Sequence, residues 1–68
     1  MNRDFLKMEN FRRLFGNPNY QFININNISG VTIGYISINI HTTGFIYFSF
    51  PKTKYNLELL EKAGFDLE

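Results

Sequence analysis

Val31-Thr32-Ile33-Gly34-Tyr35-Ile36-Ser37-Ile38-Asn39-Ile40, then His41-Thr42-Thr43-Gly44, then Phe45-Ile46-Tyr47-Phe48-Ser49-Phe50, is the stretch that decides the fold class. Branched and aromatic side chains dominate it, Gly and Thr punctuate it, and it contains no Asp, Glu, Lys or Arg. That composition reads as β. The spacing predicts a strand over Val31–Ile40, a hairpin loop at His41–Gly44 with Gly at its end, and a strand over Phe45–Phe50 closed by Pro51. Upstream, Tyr20–Ile25 reads as another strand, and Asn26-Asn27 with Ser29-Gly30 marks a turn. Strands joined by such short loops are antiparallel neighbours. Within Val31–Ile40 the apolar residues change phase. Val31, Ile33 and Tyr35 alternate in one set, and Ile36, Ile38 and Ile40 in the other. Period-2 geometry sends the two sets to opposite faces, so either a bulge near Tyr35 resets the phase or both faces are apolar in places.

Outward from this centre the pattern becomes helical. Phe5, Met8, Phe11 and Phe15 recur at three- and four-residue spacing, which predicts a first helix ending at Gly16-Asn17-Pro18, with Asn2 or Asp4 as its cap. Downstream, a second helix is expected over about Asn56–Ala63. Asn56 would be its N-cap, Glu58 would lie in the first turn and Lys62 in the last. Gly64 would end it, with Phe65 packing back on Leu60 as in a Schellman motif. The expected order is α-β-β-β-α: one small α+β domain over residues 1–68, a three-stranded antiparallel meander with two helices packed on it.

Every formal charge lies before Leu14 or after Pro51, and the net charge is +1. So small a charge does not by itself point to nucleic acid or an anionic membrane. A chain of 68 residues buries only about 60% of the surface its unfolded form exposes. Support from disulfides is closed, because there is no cysteine. One histidine and no carboxylate cluster leave too few ligands for the usual metal sites, and no cofactor is expected. A cysteine-free chain suits the cytoplasm. The N-terminus, with Arg3, Asp4, Lys7 and Glu9, lacks a signal-peptide pattern, and no apolar run is long enough for a membrane helix. The Ile/Asn/Phe/Lys bias suggests an AT-rich coding sequence, such as that of a phage or mobile element.

Catalysis by general acid and base needs His or paired carboxylates in a pocket. Here the carboxylates sit in the terminal segments, His41 falls in a hairpin loop, and no nucleophile elbow is present. Gly30 and Gly34 lack the following helix and Lys of a phosphate cradle. The expectation is therefore a non-enzymatic binding or regulatory protein, an inhibitor or accessory factor acting by protein–protein contact. Phe45, Tyr47 and Tyr35, the rings left on the face the helices do not cover, are the candidate partner-binding residues. A homodimer, face to face through Phe45 and Tyr47 or by edge pairing of one strand, and a host or phage protein are the expected partners; a membrane is not. Arg12, Arg13, Lys52 and Lys54 are the candidate anion contacts, should both basic pairs meet at one rim.

The α-β-β-β-α order resembles the double-stranded-RNA-binding fold. Within it, His41-Thr42-Thr43-Gly44, Phe45–Phe50, Pro51-Lys52 and Leu57–Gly64-Phe65 resemble the C-terminal half of the small mRNA-cleaving toxins of the HicA type. Those have a hairpin with a Gly, a strand ending in Pro, a basic connector and a final helix ending in a Gly-apolar pair. The resemblance covers less than half of the chain. It implies an alternative function, a nucleic-acid-binding module in the form of a degenerate toxin. The family's Gly-Ser-His motif falls at Gly34-Tyr35-Ile36, which has no histidine, and His41 stands instead in the turn.

Overall fold

The computed structural model describes residues 4–44 and 46–67. Five strands and one α-helix follow one another among them: β1 Phe5–Glu9, β2 Tyr20–Asn24, a 3-10 turn at Ile25–Asn27, β3 Ile28–Ile33, β4 Ser37–Thr42, β5 Tyr47–Pro51 and α1 Lys54–Lys62. The class is α+β, as expected, but the arrangement is two antiparallel sheets, β1-β2 and β3-β4-β5, with one helix.

The expected first helix is a strand. Leu6 and Met8 are buried while Phe5 and Lys7 face out, the alternation of a half-buried strand. Phe11 and Phe15, assigned above to a helical stripe, are exposed. The three- and four-residue spacing of the rings is overruled by pairing with β2, which sets Leu6 opposite Ile23 and Met8 opposite Gln21. The α-β-β-β-α order that supports the toxin resemblance is therefore absent.

The phase change in residues 31–40 has a cause different from both expected ones. The segment is two strands, turned back at Gly34-Tyr35-Ile36, where the Gly34 N–H donates to the Ser37 carbonyl at 2.7 Å. Pairing then sets Val31 against Ile40 and Ile33 against Ile38. Ile40 and Ile38 in turn face Phe48 and Phe50 on β5. Residues directly opposite share a face, so Val31 and Ile33 of one set and Ile38 and Ile40 of the other line one inner surface, while Tyr35 and Ile36 stand exposed in the turn. The outer surface carries Thr32, Asn39, Ser49, His41 and Tyr47. The bulge lies elsewhere, between Ile28 and Gly30. β5 begins at Tyr47, and Phe45 falls outside the described residues.

The core gathers Leu6, Met8, Ile23, Ile38, Ile40, Phe50 and Leu60, from both sheets and the helix. The inner face of the meander is thus covered by the β1-β2 hairpin and α1 rather than by two helices. The helix starts earlier than expected because Thr53 caps it, its hydroxyl accepting the Asn56 N–H at 3.2 Å. It ends as the sequence indicates. Gly64 has φ +97°, its N–H donates to the Glu61 carbonyl at 3.0 Å, and the Phe65 N–H donates to that of Leu60 at 3.1 Å. This is the Schellman pattern.

Asn56, freed from capping, is fully buried and joins the two sheets. Its Oδ1 accepts the Glu9 N–H at 2.8 Å, and its Nδ2 donates to the Glu9 carbonyl at 3.0 Å and the Pro51 carbonyl at 2.9 Å. One carboxamide thus ties the C-terminal end of β1 to that of β5. An N-cap tolerates Asp in place of Asn, but a carboxylate here would set a negative oxygen against two carbonyls. We expect Asn56→Asp to destabilise at neutral pH by at least as much as Asn56→Ala, about 3 kcal/mol from three lost partners at a buried side chain. Urea unfolding followed by circular dichroism measures both variants, and a neutral Asn56→Asp would show Asn56 to be only a cap.

Candidate interaction cleft and arm

Asn56 ties the C-terminal ends of β1 and β5, and residues at their N-terminal ends stand on either side of a hollow. There a cleft of about 440 Å³ opens between the sheets, lined by Phe5, Phe22, Ile23, Ile46 and Phe48 with Asn24, Asn27, Thr42, Thr43 and Gly44. No charged side chain lines it. Phe5, Phe22 and Ile46 are about half exposed. A second hollow of about 460 Å³ shares Thr42, Thr43 and Ile46 with it and adds Ser29, His41 and Tyr47. The loop beneath is held by the Thr42 hydroxyl donating to the Ile46 carbonyl at 2.6 Å and the Thr43 N–H donating to the Asn27 carbonyl at 2.8 Å.

At the other end of the molecule, β1 and β2 continue as an arm. The Asn10 N–H donates to the Asn19 carbonyl, and Leu14 and Asn17 exchange both backbone bonds at 2.8 and 2.9 Å. Phe15 and Gly16, with φ of +51° and +80°, form the two-residue tip, as in a type I′ turn. The Arg13 guanidinium clamps it, its Nε and Nη2 both donating to the Gly16 carbonyl at 3.1 and 2.9 Å. Phe15 is 99% exposed, and Phe11 and Leu14 are about half exposed.

The expected partner-binding residues are spread over both ends. Tyr47 lies beside the cleft, stacked on His41 with ring centroids 5.7 Å apart. Tyr35 stands exposed at the β3-β4 turn, at the tied end, where the Lys52 N–H reaches the Ile36 carbonyl. Phe45 lies outside the described residues. The two basic pairs leave this same tied end, Arg12 and Arg13 on the arm and Lys52 and Lys54 in the segment from β5 into α1. Arg13 is engaged with its own turn, and Lys54 Nζ lies 4.0 Å from Glu58 in an exposed pair, which is worth little. Sequence reasoning missed Phe5, Phe22 and Ile46 as a group and Phe15 as a tip. Gly16-Asn17-Pro18 is the signal for that tip, since a helix stop and a hairpin turn use the same residues.

Among the described residues, no three His, Cys, Asp or Glu side chains come together to hold a metal ion, and no helix is long and apolar enough to cross a membrane. No protein family, curated protein or solved structure matches the chain.

Beside the tied end, Tyr55 donates its phenol proton to the Lys7 carbonyl at 2.8 Å, and its ring lies 5.8 Å from that of Tyr20, over which Lys7 Nζ sits at 4.6 Å. Desolvation first, then Tyr20 and Glu9, raises the Tyr55 pKa above the usual 10.0. A raised folded-state pKa gives stability that is complete below the unfolded value and is lost as pH rises through the folded one. Stability should therefore fall above pH 10.0, and Tyr55→Phe should flatten that fall. Thermal melts from pH 8 upwards, with tyrosinate absorbance, check this, and an identical slope in both proteins would rule it out.

Proposed function

We propose that this chain is a non-enzymatic binding protein, an inhibitor or accessory factor that acts through protein–protein contact. The observation that carries the reading is the uncharged apolar cleft between the sheets, flanked by half-exposed Phe5, Phe22 and Ile46. Exposed apolar patches of this kind on small proteins mark interaction surfaces. Beside the cleft, the His41 ring stacks on that of Tyr47, and its backbone carbonyl accepts from the Ser29 hydroxyl. The cysteine-free composition is in keeping with action in the cytoplasm.

The alternative, a nucleic-acid-binding module, has one observation in its favour. The outer face of β1-β2 sets Lys7 among the rings of Tyr20 and Phe22, and rings with cations form stacking platforms for single strands. The two readings differ in their response to salt. A phosphate binder with about four cationic contacts loses on the order of fiftyfold in affinity between about 50 and 200 mM salt, whereas an apolar contact does not. Affinity capture from cells with the full chain, at both salt concentrations and with Ile46→Lys as control, separates them. We expect protein to be retained at both concentrations and lost with Ile46→Lys, which leaves the fold intact because Ile46 is exposed. RNA that elutes with salt and is indifferent to Ile46→Lys would reverse the assignment.

A further inference from the structure

The two sheets have four outer strand edges, which are covered to different extents. β1 gives its edge to Tyr55 and Asn56, and β5 gives the Pro51 carbonyl to Asn56. β3 is flanked by Asp66 and Leu67, which share a hollow with Val31, Thr32 and Ile33. The outer edge of β2 receives no hydrogen bond among the described residues. β2 reads Tyr20-Gln21-Phe22-Ile23-Asn24, without the charge or proline by which exposed edges resist pairing.

We propose that β2 pairs antiparallel with β2 of a second copy, with Phe22 opposite Phe22 at a two-fold axis, so that β1-β2 becomes a four-stranded sheet across the dimer. This rests on the protein–protein reading above and names the partner as the chain itself. The same rotation explains the arm. Cleft and arm tip lie at opposite ends of the β1-β2 hairpin. With strand steps of about 3.3 Å, the tip is on the order of 25 Å from its own cleft and cannot fill it. A two-fold axis at Phe22 reverses the second hairpin and carries each tip to the end where the partner's cleft opens. Each arm then runs past the cleft end of its partner, with Phe15 seven strand steps, about 23 Å, beyond the axis.

The tip residue supports this independently. A two-residue turn with positive φ at both positions favours Asn-Gly, and a bulky residue there is strained. The chain places Phe15 before Gly16, with φ +51° and the ring almost wholly in solvent. The Arg13 clamp on the Gly16 carbonyl holds the turn, but the Phe15 ring itself packs against nothing in the monomer among the described residues. The area is adequate as well. At about 200 Å² per ring, the exposed parts of Phe5, Phe11, Phe15, Tyr20 and Phe22 come to on the order of 600 Å², against about 800 Å² per partner in a stable interface.

Sedimentation or light scattering of the full chain at micromolar concentration should give twice the 8.0 kDa monomer mass. Phe22→Lys should return the monomer with unchanged circular dichroism. Phe15→Asn should weaken the dimer at least tenfold while raising the melting temperature of the monomeric Phe22→Lys background, because Asn-Gly suits the turn; a purely structural Phe15 predicts a lower melting temperature. Phe22→Cys should oxidise to a covalent dimer, since facing positions in an antiparallel pair lie within disulfide reach and the chain has no other cysteine. A monomer at every concentration overturns the proposal and leaves a heterologous partner for the cleft. A dimer split by Tyr47→Lys but indifferent to Phe22→Lys moves the interface to β5 and also overturns it. A monomer whose arm binds anionic lipid vesicles, lost with Phe15→Asn, assigns the tip to a membrane surface instead.

Discussion

The Asn56 carboxamide is the constraint on which the rest of the arrangement depends. Two sheets that pack face to face need no hydrogen bonds between them, but the backbone groups of Glu9 and Pro51 at the ends of β1 and β5 lie beside the buried Asn56 and cannot be left unpaired. A second backbone ladder would satisfy them and would fuse the sheets into one. Asn56 supplies only one peptide-like unit, at one end, through bonds to both backbone groups of Glu9 and to the Pro51 carbonyl. The sheets are therefore held at the tied end and free to part at the other. The cleft follows from this geometry, and Phe5 and Phe48 line it.

Thr53 and Asn56 form one device. Because the Thr53 hydroxyl takes the capping role, the amide three residues later can turn inward. Helix, cap and inter-sheet tie are then fixed within four residues, and Tyr55 adds a bond to Lys7 from the same turn. Leu60, one turn further on, enters the core between the sheets. The helix thus does two different jobs, closing the apolar interior with one face and satisfying the strand ends with its first turn.

How far the sequence could be read depends on which residues are considered. Tyr20–Asn24, the hairpin near Thr43 and Gly44, and the Gly64-Phe65 helix end were legible because local chemistry and tertiary context agree there. The β1 strand was not. Phe5, Met8, Phe11 and Phe15 fit a helical period, and only pairing with β2 selects Leu6 and Met8 as the inward set. The break at Gly34 was hidden because Tyr35 and Ile36 are apolar residues at a turn, where polar ones are the rule. Asn56 looked like a cap because capping and strand tying draw on the same side-chain groups. The cleft was beyond sequence reasoning, since it arises from the relative placement of strands far apart in the chain. The exposed rings were anticipated as a class, but on the outer face of the meander rather than at the mouth between the sheets.

The absence of charge from Leu14 to Pro51 has a physical consequence that the fold answers strand by strand. Uncharged β segments pair readily with any free edge, and charge on the edge is the common defence. Here the defence is mostly cover: a helix turn over β1, a carboxamide at the end of β5, the C-terminal residues beside β3. A domain this small has little additional surface with which to cover a fourth edge, since so much of its chain already remains exposed. Charge could have protected β2 instead, but Lys7 and Glu9 lie on the neighbouring strand, and Lys7 sits over the Tyr20 ring. The same chain spends a bulky aromatic residue on a turn that favours Asn. An open uncharged edge and a strained exposed ring are each costly in a monomer. Both would become useful under the two-fold pairing proposed above, which treats them together rather than as separate defects.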